Sequence, residues 1–153
     1  RHVNKYAELI GARLVSRAGK EIGSPPTSED VFVRIRLLVT KAPIRARCGL
    51  DLYKGNGLIF RSVDPTVHEI DQPGSYEAWG CIPAHFLSEL LYSINAFALL
   101  EHEEKKTSLI IYKALSFMTY STANVEKQGL LKDALLAPRL EWKLVREPEV
   151  VPT

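Results

Sequence analysis

Along most of the chain, hydrophobic and polar residues alternate with a period of two, the period of a strand with one buried face. Turn residues cut the alternation into short runs. Ile10, Ala12 and Leu14 alternate with Gly11 and Arg13, and Arg17-Ala18-Gly19-Lys20 predicts a turn. Ser24 to Ser28 reads as a loop, because Pro25 and Pro26 carry no amide donor for a ladder. The clearest strand runs from Val31 to Thr40. Val31, Val33, Ile35, Leu37 and Val39 predict its buried face, and Phe32, Arg34, Arg36, Leu38 and Thr40 its other face. Arginines at alternate positions make it half-buried rather than central in a parallel sheet.

Pro43 ends that run. Ile44 to Lys54 follows, with Cys48, Leu50 and Leu52 on one face and Arg47, Asp51 and Tyr53 on the other. Gly55-Asn56-Gly57 signals a hairpin, since both residue types tolerate positive φ, and Leu58 to Val63 is the returning strand. After a loop from Pro65 to Gly74, Tyr76, Ala78, Gly80 and Ile82 alternate with Glu77, Trp79 and Cys81 up to Pro83. Tyr92 to Glu101 predicts a strand, His102 to Lys106 its turn, and Ser108 to Lys113 the partner. Leu115, Phe117 and Thr119 then alternate with Ser116, Met118 and Tyr120. Two segments are candidate helices instead: His85 to Leu91, with Phe86, Leu87, Leu90 and Leu91 at helical spacing but barely two turns long, and Val125 to Leu136, which contains Gly129 and reads as a short helix or a loop. A last strand, Arg139 to Arg146, follows Pro138, and the tail 147–153 is expected to fray.

About eight short strands with regular turns predict an all-β, antiparallel, immunoglobulin-like β-sandwich. No internal boundary or repeat divides the 153 residues, so 1–153 reads as one domain. A domain of this size buries about 70% of its unfolded surface and needs no disulfide or metal. Cys48 and Cys81 read as small buried apolar residues, which fits a cytoplasmic setting. No apolar run approaches the ~20 residues of a membrane span. Arg1 is not an initiator methionine, and the chain is expected to be a fragment of a longer protein. The net charge of +2, from 20 basic and 18 acidic residues, excludes the domain-wide basic surface that nucleic acid requires.

Catalytic signatures are absent. There is no glycine-rich phosphate loop followed by Lys and Ser or Thr. The histidines at 2, 68, 85 and 102 are scattered, no Cys-x-x-Cys occurs, and no metal or cofactor is expected. Serines and cysteines carry no local nucleophile signature. More informative are the rings and polar groups opposite the aliphatic stripes. One set is Arg47, Asp51, Tyr53, Asn95, Phe97 and Tyr120, and a second is Arg34, Arg36, Glu77 and Trp79. Flat rings match the C–H faces of a sugar, and Arg, Asp and Asn match its hydroxyls. The plainer reading places Trp79 and Phe97 under a loop or in a dimer interface. The first set is preferred as a carbohydrate site because it offers several rings.

The ordered pattern resembles the C-terminal carbohydrate-binding domain of Wzt-type ATP-binding subunits of ABC exporters for O-antigen and related polysaccharides. The resemblance spans about Ala7 to Val145 and is carried by several segments. They are Ala7-Glu8-Leu9-Ile10, Val31-Phe32-Val33-Arg34-Ile35-Arg36, Gly49-Leu50-Asp51-Leu52-Tyr53 with its Gly55-Asn56-Gly57 turn and Leu58-Ile59-Phe60, Pro73-Gly74-Ser75-Tyr76 through Ile82-Pro83, Leu91-Tyr92-Ser93-Ile94, Ala114-Leu115-Ser116-Phe117, and Gly129 with Leu140-Glu141-Trp142. Ala78 and Gly80 depart from it, being smaller than the family's usual residues, and Ser88 to Leu91 lacks the usual Pro-Gly turn.

The resemblance implies recognition of an exported polysaccharide at the cytoplasmic face of the inner membrane, with the ATPase N-terminal to Arg1 and membrane subunits as further partners. It also implies a homodimer that exchanges the strand 139–146. A β-sandwich protein–protein or dimerisation module without sugar affinity is the competing reading, and an enzyme is third.

Overall fold

The computed structural model describes residues 1–121 and 140–147. Among these residues, nine strands form two antiparallel sheets: β1 (Ala7–Val15), β2 (Val31–Val39), β3 (Ile44–Lys54), β4 (Gly57–Val63), β5 (His68–Ile70), β6 (Gly74–Ile82), β7 (Leu91–His102), β8 (Lys105–Met118) and β9 (Glu141–Arg146). One sheet has the order β1-β2-β6-β9. The other has the order β4-β3-β7-β8, with β5 also paired to β3. No helix occurs among the described residues, and the all-β sandwich is the architecture.

The inner faces are those the alternation predicts. Val31, Val33, Ile35, Leu37 and Val39 are all buried, as are Cys48, Leu50, Leu52, Ile94, Ala96 and Phe117. They belong to one core shared by both sheets, the arrangement by which two one-sided sheets remove their apolar faces from water. Both cysteines are buried and free. Burial pushes the Cys48 thiol up to about 12, so it behaves as an apolar group.

Several expectations are corrected. Ile10 does not join the apolar stripe: a bulge between Leu9 and Gly11 adds one residue to β1, and Ile10 turns outward. His85 to Leu91 is not a helix. His85 has φ of 64°, and the Leu90 amide donates to the Thr119 hydroxyl at 3.0 Å instead of to a helical carbonyl. Ser108 to Lys113 and the run after it are a single strand, β8, interrupted rather than ended at Lys113. Val125 to Leu136 lies outside the described residues.

The closing strand pairs within its own chain, β9 against β6 from Cys81↔Glu141 to Tyr76↔Arg146. Gly80 explains the fit. A Cβ there would lie 2.9 Å from the Trp142 ring, so the small residue in β6 makes room for the large one in β9. The Trp142 indole crosses the sandwich and donates to the Ser62 hydroxyl at 2.9 Å, satisfying its only polar atom.

Candidate functional site

The outer face of the five-stranded sheet is built as cross-strand rows. Arg45, Glu101 and Lys106 form the first and Arg47, Leu99 and Ser108 the second. Gly49, Phe97 and Ile110 form the third, and Tyr53, Ser93 and Ser116 the last. Between these lies Asp51 opposite Asn95. Arg47, Asp51, Tyr53, Asn95 and Phe97 therefore share one face. Arg47 and Tyr53 are six positions apart, about 20 Å along a strand, so they do not touch one sugar unit together.

The middle of the face is closed. Phe97 lies on Gly49, where a Cβ would come within 2.4 Å of the ring. Asp51 is buried and takes a two-pronged ion pair from Arg61, at 2.6 and 3.0 Å. The same guanidinium sits 5.7 Å above the Phe97 ring, and the Asp51 hydrogen bond raises the Arg61 pKa. Asn95 Oδ1 accepts the Lys113 amide at 2.8 Å. That contact fixes a wide bulge: Asn95 alone stands between the pairs Ala96↔Ile111 and Ile94↔Leu115. Residues 112–114 thus face one partner, and Tyr112 is thrown out, 69% exposed. Asp51, Asn95 and Phe97, expected as binding residues, are thus engaged within the chain by Arg61, the Lys113 amide and Gly49.

Tyr120 is also displaced from its expected place. It lies two residues beyond β8, bridged to Pro26, with the Thr27 amide on its carbonyl. It is exposed but belongs to the loop side of the sheet.

The open parts of the face lie at its ends. A groove of about 390 Å³ runs over the Arg45 and Arg47 rows. A smaller hollow of about 190 Å³ is lined by the Gly55-Asn56 hairpin tip, Ser93, Lys113 and Ser116, beside the Tyr53 row. Arg45, Lys106, Ser108 and Tyr112 were not singled out in the sequence; they emerge only once strand register is known.

The second set, Arg34, Arg36, Glu77 and Trp79, comes together on the outer face of the four-stranded sheet. Arg34, on the face predicted opposite the aliphatic stripe and expected to reach solvent or a ligand, is buried, its side chain 10% exposed. It lies 3.4 Å from Glu21 and 3.6 Å from Glu77. Arg36 pairs with Glu77 at 3.4 Å and Glu147 at 3.3 Å. Trp79 donates to Glu77 at 3.4 Å, meets Phe32 edge-on at 5.8 Å and carries Lys143 over its ring at 4.5 Å. Burial works to raise the Glu77 carboxyl. Hydrogen bonds with Glu147, Trp79 and Arg36 and the charge of Arg34 outweigh it, and the net shift is downward. Glu147 moves upward, chiefly through its hydrogen bond with Glu77.

No cluster of three metal-ligating side chains occurs among the described residues, and no helix there is long and apolar enough to cross a membrane. No protein-family model and no curated protein matches the chain. Among solved structures, the chain is similar to the crystal structure of the C-terminal domain of Wzt. The TM-score is 0.62 at 9% identity, over 98% of this chain and 85% of that one. The likeness shows a common fold.

Proposed function

We propose that the chain is a non-catalytic glycan-binding module in which an oligosaccharide lies along the outer face of the five-stranded sheet, from the Arg47 row to the Tyr53 row. The observation that carries this reading is the Wzt C-terminal-domain fold over nearly the whole chain. The face adds local support: two open hollows flank a rigid, self-satisfied centre, and a preformed surface loses little entropy on binding. In this reading the ligand is an O-antigen-type polysaccharide. The module works at the cytoplasmic face of an ABC exporter, through a parent chain that carries the ATPase. Two copies exchange β9, each closing strand leaving its own β6, where it pairs in the single chain, and seating Trp142 over the other's Gly80.

One observation favours the competing protein-contact reading. Leu91 and Met118 are cross-strand partners at the end of this sheet, and both are more than half exposed. Glycan-array screening of the full chain, followed by NMR titration, separates the two. Binding is expected to be weak, because each stacked ring or exchanged hydrogen bond contributes only ~1 kcal/mol net. Shifts should concentrate at Arg47, Tyr53 and Ser93. A chain that binds no glycan, neutral or charged, at millimolar concentration would leave the protein-contact reading ahead.

A further inference from the structure

We infer that the groove at the Arg47 end takes an acidic sugar unit, one bearing a carboxylate or a phosphate. The inference rests on the glycan-binding reading and specifies its ligand. Three cationic side chains, Arg45, Arg47 and Lys106, line the groove against one carboxylate, Glu101. Their pairing is unequal. Arg17, Arg34, Arg36 and Arg61 each meet a carboxylate within 3.4 Å. Arg45 reaches Glu101 only at 4.0 Å. Arg47 is half-buried yet has no ion pair or hydrogen bond among the described residues.

A guanidinium partly removed from water without a partner is costly, and its fixed fork matches a carboxylate or phosphate with two parallel hydrogen bonds. Leu99 stands beside Arg47 in the same row and offers an apolar floor for sugar C–H groups. Ser108, next across, adds a hydroxyl. The far wall is acidic: Glu69, Asp71, Glu103 and Glu104 line the adjoining groove, which shares Arg45 and Glu101. An anion is repelled from that side and held toward Arg47 and Lys106. The rest of the glycan is thereby directed along the sheet toward Tyr53.

The test uses the full chain and three probes: an oligoglucuronate, the same oligomer after carboxyl reduction, and glucose 6-phosphate. Calorimetry at low and raised salt reads the affinities. The oligoglucuronate should bind about tenfold more tightly than its reduced form, the size of one charge-assisted pair, and the advantage should shrink with salt. Arg47→Gln, which keeps much of the aliphatic stem, should lose the advantage with an unchanged melting curve. Glu101→Gln should increase it. Binding of the sugar phosphate alone assigns the same anion site to phosphate. Equal affinity for the reduced oligomer, or an unaffected Arg47→Gln, overturns the acidic assignment and leaves the glycan reading standing. No binding by these probes or by any neutral glycan overturns both.

Discussion

On the outer face of the four-stranded sheet, Arg34 and Arg36 sit among Glu21, Glu77 and Glu147, and Trp79 is flanked by Phe32 and Lys143. On the five-stranded sheet, Arg47 faces Leu99 and meets no carboxylate among the described residues. Both faces hold the arginines, acids and rings suited to sugars. In the first, these groups are one another's ion-pair and stacking partners, although buried Arg34 Nε, 3.6 Å from Glu77, completes no hydrogen bond, so a ligand must compete with the charges already paired there. In the second, only the centre is so occupied. Residue type alone therefore does not distinguish a binding face from a self-paired one; the presence or absence of a counter-charge beside each arginine does.

Adding one methyl group to each face sharpens the contrast most strongly. At Gly49 the new Cβ would meet the Phe97 ring at 2.4 Å and the Ser62 carbonyl at 2.8 Å. Gly49→Ala should destabilise the fold by about 3 kcal/mol, because neither backbone nor ring has room to yield. At Gly11, which pairs with Arg36 on the other sheet, nothing lies within 4 Å. Gly11→Ala should be neutral or stabilising by about 0.5 kcal/mol. Urea midpoints compare the two, and equal midpoints would show that the centre of the five-stranded face is not closed.

Glu77→Gln probes the self-paired face. It leaves buried Arg34 with exposed Glu21 as its one ion pair within 4 Å among the described residues and Glu147 as a more distant counter-charge, at a cost of about 2 kcal/mol near neutral pH. The folded Glu77 pKa lies below its ordinary 4.5. Its stabilisation is thus complete above that value and is lost as pH falls through the folded pKa. Glu147, raised, acts in the opposite sense: its share is present at low pH and is lost as pH rises through its folded value. Wild type and Glu77→Gln should converge on acidification below 4.5. A stability gap that stays constant down to pH 3 would mean that the network contributes no charge pairing.

The strand faces were legible because burial follows local alternation, as at Val31 to Val39. What failed depended on partners. Ile10 breaks its stripe through one inserted residue that only the pairing with Leu37 and Arg36 reveals. Counting from the Gly55-Asn56 turn sets Asp51 opposite Phe60; a bulge between Leu52 and Tyr53 moves Arg61 there instead. The break in alternation at Lys113 was visible, but a strand end and a bulge look alike until Asn95 is seen holding the bulge amide. The small size of Gly80 was noticed, and its reason lies sixty-two residues later in Trp142. The candidate site was legible as a face and not as a set of available groups.

The smallest expected effect bears most directly on which face binds. Tyr53 is half-buried at the open end of the five-stranded sheet, beside Leu58 and Ser93. Its ring makes no aromatic stacking or cation–π contact within the described chain. Removing it takes away one stacking surface, about 1 kcal/mol, or roughly fivefold in affinity for a bound oligosaccharide. Trp79 is larger, and on size alone its loss should matter more. Its ring, however, already holds Phe32 and Lys143, so a sugar gains little there that the protein does not first give up. Tyr53→Ala should therefore weaken glycan binding about fivefold, with the circular-dichroism spectrum unchanged. Trp79→Ala should lower stability and leave the affinity of the folded chain as it was. The reverse pattern, affinity lost with Trp79 and kept without Tyr53, would move the site to the four-stranded sheet and require that Lys143 leave the indole to admit the ligand.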